Sequence, residues 1–334
     1  VRNEEDNVAD CLAALAAATA RPEILVVDDG STDRTAALLA AASAREYRIR
    51  VVPAGPLPPG WPGKVYALWV GEAAAETDWL LLTDADTRHS PDLLARAHTV
   101  AAQSASASER PAAAGDLVAP FAAVSLSGTQ EAKGLGENLL TAAVFALLDA
   151  LLPDWEAAAA GAGPALANGQ FILLQRAAWT ASGGFESIRE APIDDVALAA
   201  RLRAHGFRTA FLRAPALRVR MYRGARETIR GWRRNLGALF GARPRVLATA
   251  LVVLLLPPLG LALALATGHW VEAWILWTAG AASSALLRLG ANLEPAYGLL
   301  YPLDALLLAA VLALGARDRR RGRLASWKGR TVEV

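Results

Sequence analysis

Three acidic groups carry the residue types and spacings in this 334-residue chain that could do chemistry: Asp28-Asp29, Asp84-Ala85-Asp86 and Asp194-Asp195. Two carboxylates two residues apart, as in Asp84-x-Asp86, can reach one Mg2+ or Mn2+ directly or through water, and the cation then neutralises a diphosphate. The same tripeptide is also common in surface turns. Asp28-Asp29 precedes Gly30-Ser31-Thr32-Asp33, which suits either a helix-capping turn or carboxylates that accept hydrogen bonds from a nucleobase N–H or a ribose hydroxyl. Asp194-Asp195 fits the acidic first turn of a helix. It equally fits a general base, since adjacent carboxylates make one of the two easier to protonate.

These groups need elements to position them, and the apolar pattern supplies candidates. Ile24-Leu25-Val26-Val27 runs into the first pair and Trp79-Leu80-Leu81-Leu82-Thr83 into the second. Each therefore reads as a buried strand ending in carboxylates. Such groups are costly to desolvate unless something compensates them, and ligands bind at this strand end in open α/β sheets. Periodicity predicts helices over 7–20, 32–45 (capped by Ser31 or Thr32), 64–75 and 129–152, and strands over 23–28, 48–52, 79–83, 117–124 and 169–174. The alternation predicts an α/β fold with a doubly wound, mostly parallel sheet. Stretches 101–114 and 157–164 read as loops.

Hydrophobic residues make up 54% of the chain, and the excess lies after Val246. Apolar runs at 246–267, 271–287 and 299–316 follow an arginine-rich segment, 218–245, and precede a basic tail, 317–334. About 20 apolar residues cross a bilayer, and basic flanks mark cytoplasmic borders. Both basic segments belong on one side by that rule, so one apolar run is expected not to cross. The first choice is 246–267, turning back at Pro257-Pro258 as a re-entrant hairpin; the second is 271–287. No aromatic-interleaved basic repeat or zinc-ligand spacing points to nucleic acid. One cysteine, Cys11, precludes an intramolecular disulfide and reads as a small buried hydrophobe. The chain opens at Val1-Arg2-Asn3-Glu4-Glu5 without an apolar strand ahead of it.

The order Arg2-Asn3-Glu4-Glu5, Asp28-Asp29-Gly30-Ser31-Thr32-Asp33, Asp84-Ala85-Asp86, Asp194-Asp195 resembles family-2 glycosyltransferases of the GT-A fold. More narrowly, Pro56-Leu57-Pro58-Pro59-Gly60-Trp61-Pro62-Gly63-Lys64, the helix from Ile193 to Leu202 and Trp327-Lys328-Gly329-Arg330 are similar to hopene-associated and carotenoid-type membrane glycosyltransferases. The resemblance implies a Rossmann-like GT-A domain over 1–217, an interfacial segment over 218–245, membrane helices over 246–316 and a cytoplasmic tail over 317–334. It implies donor binding by Asn3, Glu4, Asp28, Asp29, Lys64 and Asp84, with Lys64 close to the nucleotide or its phosphates. It further implies metal (Mg2+ or Mn2+) at Asp86 and Asp84, and a base at Asp195 or its neighbour Asp194. The acceptor is expected along Asn168-Gly169-Gln170, near Arg176 and Gly183-Gly184-Phe185, although glycines there also suit tight turns.

The implied reaction is an inverting transfer of one sugar, of hexosyltransferase type, from a nucleotide-diphosphate sugar. The implied acceptor is a lipid: a hopanoid, carotenoid or other polyisoprenoid at a bacterial-type inner or plasma membrane, with the catalytic domain cytoplasmic. Thr228 and Gly231 stand where a processive synthase would have Gln and Arg before Trp232, which argues for single transfer. The family's first strand is expected to be missing ahead of Arg2. Competing readings are a nucleotidyltransferase, for which the Gly-rich basic phosphate loop is lacking, and a membrane scaffold that binds a nucleotide sugar without catalysis. The sequence does not specify an oligomeric state.

Overall fold

The computed structural model describes residues 1–102, 120–151, 160, 163–191, 193–240, 243–322, 325–327 and 330–332. Most of the loop stretches expected at 101–114 and 157–164, and Lys328-Gly329 of the tail motif, lie outside the described residues. The chain divides into two compact units, Val1–Thr129 with Asp154–Val219, and Gln130–Pro153 with Arg220–Val334.

The first unit begins α1 (Val8–Ala16), β1 (Ile24–Asp28), α2 (Thr35–Arg45), β2 (Ile49–Pro53), α3 (Gly63–Ala74) and β3 (Trp79–Leu82). Short runs of β-branched and aliphatic residues form these strands. The connections β1–α2–β2 are long enough for a parallel crossover. β1 and β2 accordingly pair in parallel, Ile24 opposite Ile49 and Asp28 opposite Pro53. Then come β4 (Thr87–His89), α4 (Leu93–Ala102) and β5 (Ala123–Gln130), the last of which ends one residue into the second unit. Of the strand expected over 117–124, β5 includes Ala123 and Val124, and 117–119 lie outside the described residues.

The α/β class holds, but strand directions are mixed rather than mostly parallel. A five-stranded sheet runs β3-β6-β5-β7-β4, where β6 is Ile172–Gln175 and β7 is Thr209–Val219. The pairs β3–β6, β4–β7 and β5–β6 are antiparallel. β6 starts at Ile172 rather than 169 because Asn168 folds the preceding residues into a turn. Its carbonyl accepts the Phe171 N–H at 3.2 Å and its side-chain oxygen accepts the Gln170 N–H at 3.1 Å.

Helices α6 (Arg176–Ala181) and α7 (Asp194–Ala204) cover this sheet. The resulting core includes Leu80, Ile172, Leu174, Trp179, Phe185 and Leu198. Trp179 is fully buried, and truncating such a ring to alanine removes about 3–5 kcal/mol. α2 starts three residues later than expected. The Asp33 carboxylate, not Ser31 or Thr32, accepts the Thr35 N–H, at 2.9 Å.

The second unit is helical: α5 (Leu135–Leu151), α8 (Gly224–Phe240), α9 (Pro244–Ala266), α10 (Trp270–Gly290) and α11 (Tyr301–Arg320). It includes residues 130–153, a stretch the sequence places inside the catalytic domain. Leu140 and Val144 of α5 pack with Trp232, Leu236, Leu308 and Leu312. α9 and the segment Pro295–Arg320 are long and apolar enough to cross a membrane.

The hairpin expected at Pro257-Pro258 is not formed, and α9 continues through both prolines. The chain reverses instead at Gly268, whose φ of 76° lies in the left-handed region. There the His269 N–H returns to the Ala264 carbonyl at 2.8 Å. A residue without a Cβ enters that conformation readily. The lost proline N–H groups leave carbonyls unbonded without forcing a reversal.

Arg220, expected among the interfacial charges, is instead buried against Glu137 at 2.6 Å. Arg226 and Arg230 of α8 are exposed.

Candidate active site

The strand end of β3, the start of α3, the turn before β6 and the first turn of α7 meet in one cleft, lined by Lys64, Asp84, Gly169, Phe185, Asp194 and Asp195 among others. The Lys64 ammonium stands 3.3 Å from Asp84 Oδ1 and 3.3 Å from Asp194 Oδ2. Desolvation works against its charge. The carboxylates of Asp194, Asp84 and Asp195 outweigh that and hold it well above the ordinary lysine range.

Gly169 makes this approach possible. A Cβ at that position would lie 2.7 Å from Lys64 Nζ, inside contact distance. Its N–H donates to Asp195 Oδ2 at 2.8 Å, while Asp195 Oδ1 accepts the Val196 N–H at 2.8 Å. Each carboxylate oxygen has two acceptor sites, so Asp195 retains capacity for a substrate hydroxyl. Burial, then the like charge of Asp194, push Asp195 up to about 6 against the pull of Lys64. A carboxylate in that range ionises near neutrality and can act as a general base.

Asp86 lies beside this cleft. Burial, Asp84 and then Glu4 push it up to about 7, and its buried Oδ1 has no hydrogen-bond partner. A buried carboxylate oxygen without a donor, next to a second carboxylate, fits a divalent cation. Among the described residues no three acidic, histidine or cysteine side chains converge as a ready ligand shell. The protein would therefore supply one or two carboxylates and leave other positions to water and substrate oxygens, as Mg2+ sites commonly do.

The first acidic group is placed differently. Asp28 Oδ1 accepts both the N–H and the hydroxyl of Ser31, at 3.1 and 2.7 Å, so this carboxylate shapes the turn at Gly30. Asp29 is buried, its carbonyl accepting from Arg2. Asn3 Oδ1 accepts the Thr32 N–H at 2.8 Å, and the Glu4 N–H donates to Thr35 at 2.8 Å. Asn3 and Glu4 thus lace the amino-terminal segment to the 28–35 turn. The Val1 carbonyl accepts the Asp29 N–H at 2.9 Å, continuing that lacing along the end of β1. None of Asn3, Glu4, Asp28 and Asp29 lines the cleft; Glu4 reaches it through its effect on Asp86.

Of the expected acceptor residues, Gly169 faces the cleft. Gln170 is buried with its Oε1 accepting the Gly128 N–H at 3.3 Å, and Asn168 shapes the turn. Arg176 braces the Ala75 carbonyl at 2.6 Å. Gly183 and Gly184 have φ of 98° and 58°, the turn-forming alternative, and Phe185 lines the cleft.

Sequence reasoning gave no role to Thr83, which lines the cleft, and missed Thr87 and His89 of β4, which lie buried behind the Asp84–Asp86 turn. No pattern flags them, because a short edge strand with polar inward residues has no apolar period. Cys11, also behind this turn, is buried with its thiol pushed up to about 12, chiefly by desolvation.

Residues 1–107 match the family model for glycosyl transferase family 2. Over 85 residues the chain is 35% identical to 4,4'-diaponeurosporenoate glycosyltransferase of Staphylococcus haemolyticus (strain JCSC1435). That match covers 25% of this chain and 22% of that protein, so it spans about a fifth of the relative's length. The mannosyltransferase PcManGT from Pyrobaculum calidifontis, solved in complex with GDP-Man and Mn2+, is similar with a TM-score of 0.54 at 18% identity. The similarity covers 95% of this chain and 84% of that one, a likeness of GT-A fold.

Proposed function

From an amino-terminal region that is family-2 glycosyltransferase in sequence and GT-A in fold, we propose that the protein transfers one sugar from a nucleotide-diphosphate sugar to a hydroxyl of a lipid-like acceptor. The observation that carries this reading is the convergence of Asp84, Asp194 and Asp195 around Lys64 over the Cβ-free Gly169. Nucleotide-sugar use is supported by the fold shared with a GDP-Man-bound mannosyltransferase.

Asp195 takes the proton of the acceptor hydroxyl. The hydroxyl oxygen bonds to the anomeric carbon as the bond from that carbon to the diphosphate oxygen breaks, and the nucleoside diphosphate leaves. Attack opposite the leaving group inverts the anomeric centre. Lys64 holds positive charge where the diphosphate sits, and Asp194 holds Lys64. Asn3, Glu4 and Asp28 keep the turn shaped, with Asp29, for the nucleoside end of the donor. The acceptor enters beside Asn168-Gly169-Gln170, with Gly169 leaving it room.

Asp86 and Asp84 would hold Mg2+ or Mn2+, which when bound neutralises the leaving diphosphate. The sugar is of hexose type, by analogy with the mannosyltransferase whose fold the chain shares.

A lipid acceptor at a bacterial-type plasma membrane, whether carotenoid, hopanoid or another polyisoprenoid, is supported by the similarity to the staphylococcal diaponeurosporenoate glycosyltransferase. It is supported also by the two helices long enough to cross a bilayer. Two crossings place segments 218–245 and 317–334 on one side, cytoplasmic by the positive-inside rule. Labelling that put Arg245 and Lys328 on opposite faces would reject that topology.

The function is tested with membranes containing the full chain, a panel of radiolabelled nucleotide sugars and Mn2+. A glycolipid product that disappears in Asp195→Asn is expected. Mn2+-dependent nucleotide binding with no product, and no difference between Asp195→Asn and wild type, would favour a non-catalytic scaffold.

A further inference from the structure

Thr83 on the cleft wall and the buried Thr87 and His89 behind the Asp84–Asp86 turn form a hydrogen-bonded polar group, with the Cys11 thiol 3.8 Å from Thr87 Oγ1, that the transfer itself does not use. Thr83 Oγ1 donates to the Gln170 carbonyl at 2.8 Å, and Thr87 Oγ1 donates to the Asp84 carbonyl at 2.8 Å. Carbonyl oxygens only accept, so each threonine has committed its one proton. The two hydroxyl oxygens nevertheless stand 2.9 Å apart. Two acceptors at that distance, one of them buried, repel unless a donor lies between them. His89 Nε2 is 3.1 Å from each.

The bookkeeping closes if His89 is the neutral tautomer with its proton on Nε2, shared between the two oxygens. Its Nδ1 is buried and has no partner, as a bare lone pair requires. A proton there would be an unsatisfied buried donor.

The two carbonyls that this group holds belong to the two halves of the cleft. One is Asp84, in the turn that bears Asp84 and Asp86. The other is Gln170, whose neighbour Gly169 donates to Asp195 at 2.8 Å. We propose that His89 is a positioning residue: its Nε2–H, shared by Thr83 and Thr87, locks both hydroxyl protons onto these carbonyls. It thereby fixes the spacing between the Asp84–Asp86 turn and the loop that holds Asp195. This rests on the proposed transferase function for its catalytic consequence, but not for its structural one. Without the shared donor, one hydroxyl turns its proton toward the other and releases its carbonyl, and one half of the cleft shifts relative to the other. Misplacement on the ångström scale slows an oriented reaction about 100-fold.

The test uses the full chain in lipid nanodiscs, with His89→Gln, whose amide nitrogen occupies the reach of Nε2, and His89→Leu, which keeps bulk and loses the donor. His89→Leu is expected to lower kcat by about 10- to 100-fold with the KM for donor sugar little changed, and His89→Gln to restore most of it. Nitrogen-15 spectra of labelled histidine are expected to show the Nε2–H tautomer from pH 6 to 8. Hydrogen exchange at the Gly169 amide is expected to speed up in His89→Leu and to return toward wild type in His89→Gln.

An Nδ1–H tautomer or an imidazolium in that range overturns the proposal. So do wild-type kcat and Gly169 exchange in His89→Leu, or equal impairment in both variants, which would make the role one of packing. A wild type that transfers no sugar defeats the proposed function alone. The tautomer and the Gly169 exchange then still decide for or against His89.

Discussion

The buried ion pairs of the second unit and the half-buried charge cluster of the first are arranged by different rules. In the second unit each buried charge is paired with an opposite one, although Arg220 Nε and Asp304 Oδ1 are left without a hydrogen-bond partner. Both oxygens of Glu137 are taken by Arg220, at 2.6 and 3.1 Å, and by the N–H groups of Lys133 and Gly224, each at 2.6 Å. Arg288 donates to Asp304 at 2.5 Å and to the Asn138 carbonyl at 3.0 Å. In the first unit Asp84, Asp194 and Asp195 crowd around one lysine, with Asp86 alongside, and two of the four are pushed up into the range of 6 to 7 by burial and like charge. Matched charges hold helices in register. Under-neutralised ones are held by the fold at its expense, and such sites are where ligands and protons bind. The lesson concerns where removal hurts: in the second unit it should damage stability, in the first activity.

The largest effect that would break this contrast is at Asp195. Asp195→Asn should lower transfer by about 100- to 10,000-fold. It should cost little stability, because relief of the like charge of Asp194 offsets the new NH2 facing the Gly169 or Val196 N–H; a melting loss as large as that of Arg220→Met would place Asp195 with the matched charges. Arg220→Met should do the reverse, losing about 3–5 kcal/mol by stranding Glu137 in a buried site. Denaturant unfolding of Arg220→Met beside the double variant with Glu137→Leu measures this, and the double variant should recover part of the loss, since the Lys133 and Gly224 N–H groups lose their acceptor.

Close packing in the second unit makes a smaller claim. A Cβ on Gly315 would lie 2.5 Å from the Arg233 carbonyl, and one on Gly237 2.9 Å from that of Gly315. Gly315→Val should therefore destabilise by about 1–3 kcal/mol without changing the pH profile.

That profile sharpens the comparison from the other side. Asp195 accepts a proton only when ionised, so at saturating Mn2+ kcat/KM should fall about tenfold per pH unit below about 6. Asp194→Asn removes the like charge that raises Asp195 and should move this acid limb to lower pH. A limb that stayed in place would assign it to another group. The smallest expected effect is at the exposed Arg34–Glu5 pair, 3.0 Å apart. Arg34→Ala should alter neither melting nor turnover measurably, as for most exposed pairs.

Much of this was legible because it is local. Ile24–Asp28 and Trp79–Leu82 are apolar runs that end in carboxylates, and their strand assignments need no knowledge of what packs on them. Asp194-Asp195 opens a helix as an acidic first turn should. The errors arose where neighbours decide. Pro257-Pro258 reads as a break, yet α9 continues and Gly268 makes the turn, because a left-handed glycine reverses a chain more readily than two missing N–H groups do. The antiparallel pairing of β3 with β6 joins residues about ninety positions apart, beyond any window of periodicity.

By itself the sequence determined which residues could act: three acidic groups in order, a lysine after a proline-rich loop, and apolar helices behind arginines. Residue type and short-range period suffice for that. The tertiary structure decided which of them meet. It put Asp28 to shaping a turn, brought Lys64 between Asp84 and Asp194, used Gly169 to make room, and set His89 behind them. Burial and the distance between groups far apart in the chain set those roles, and both are properties of the folded chain alone.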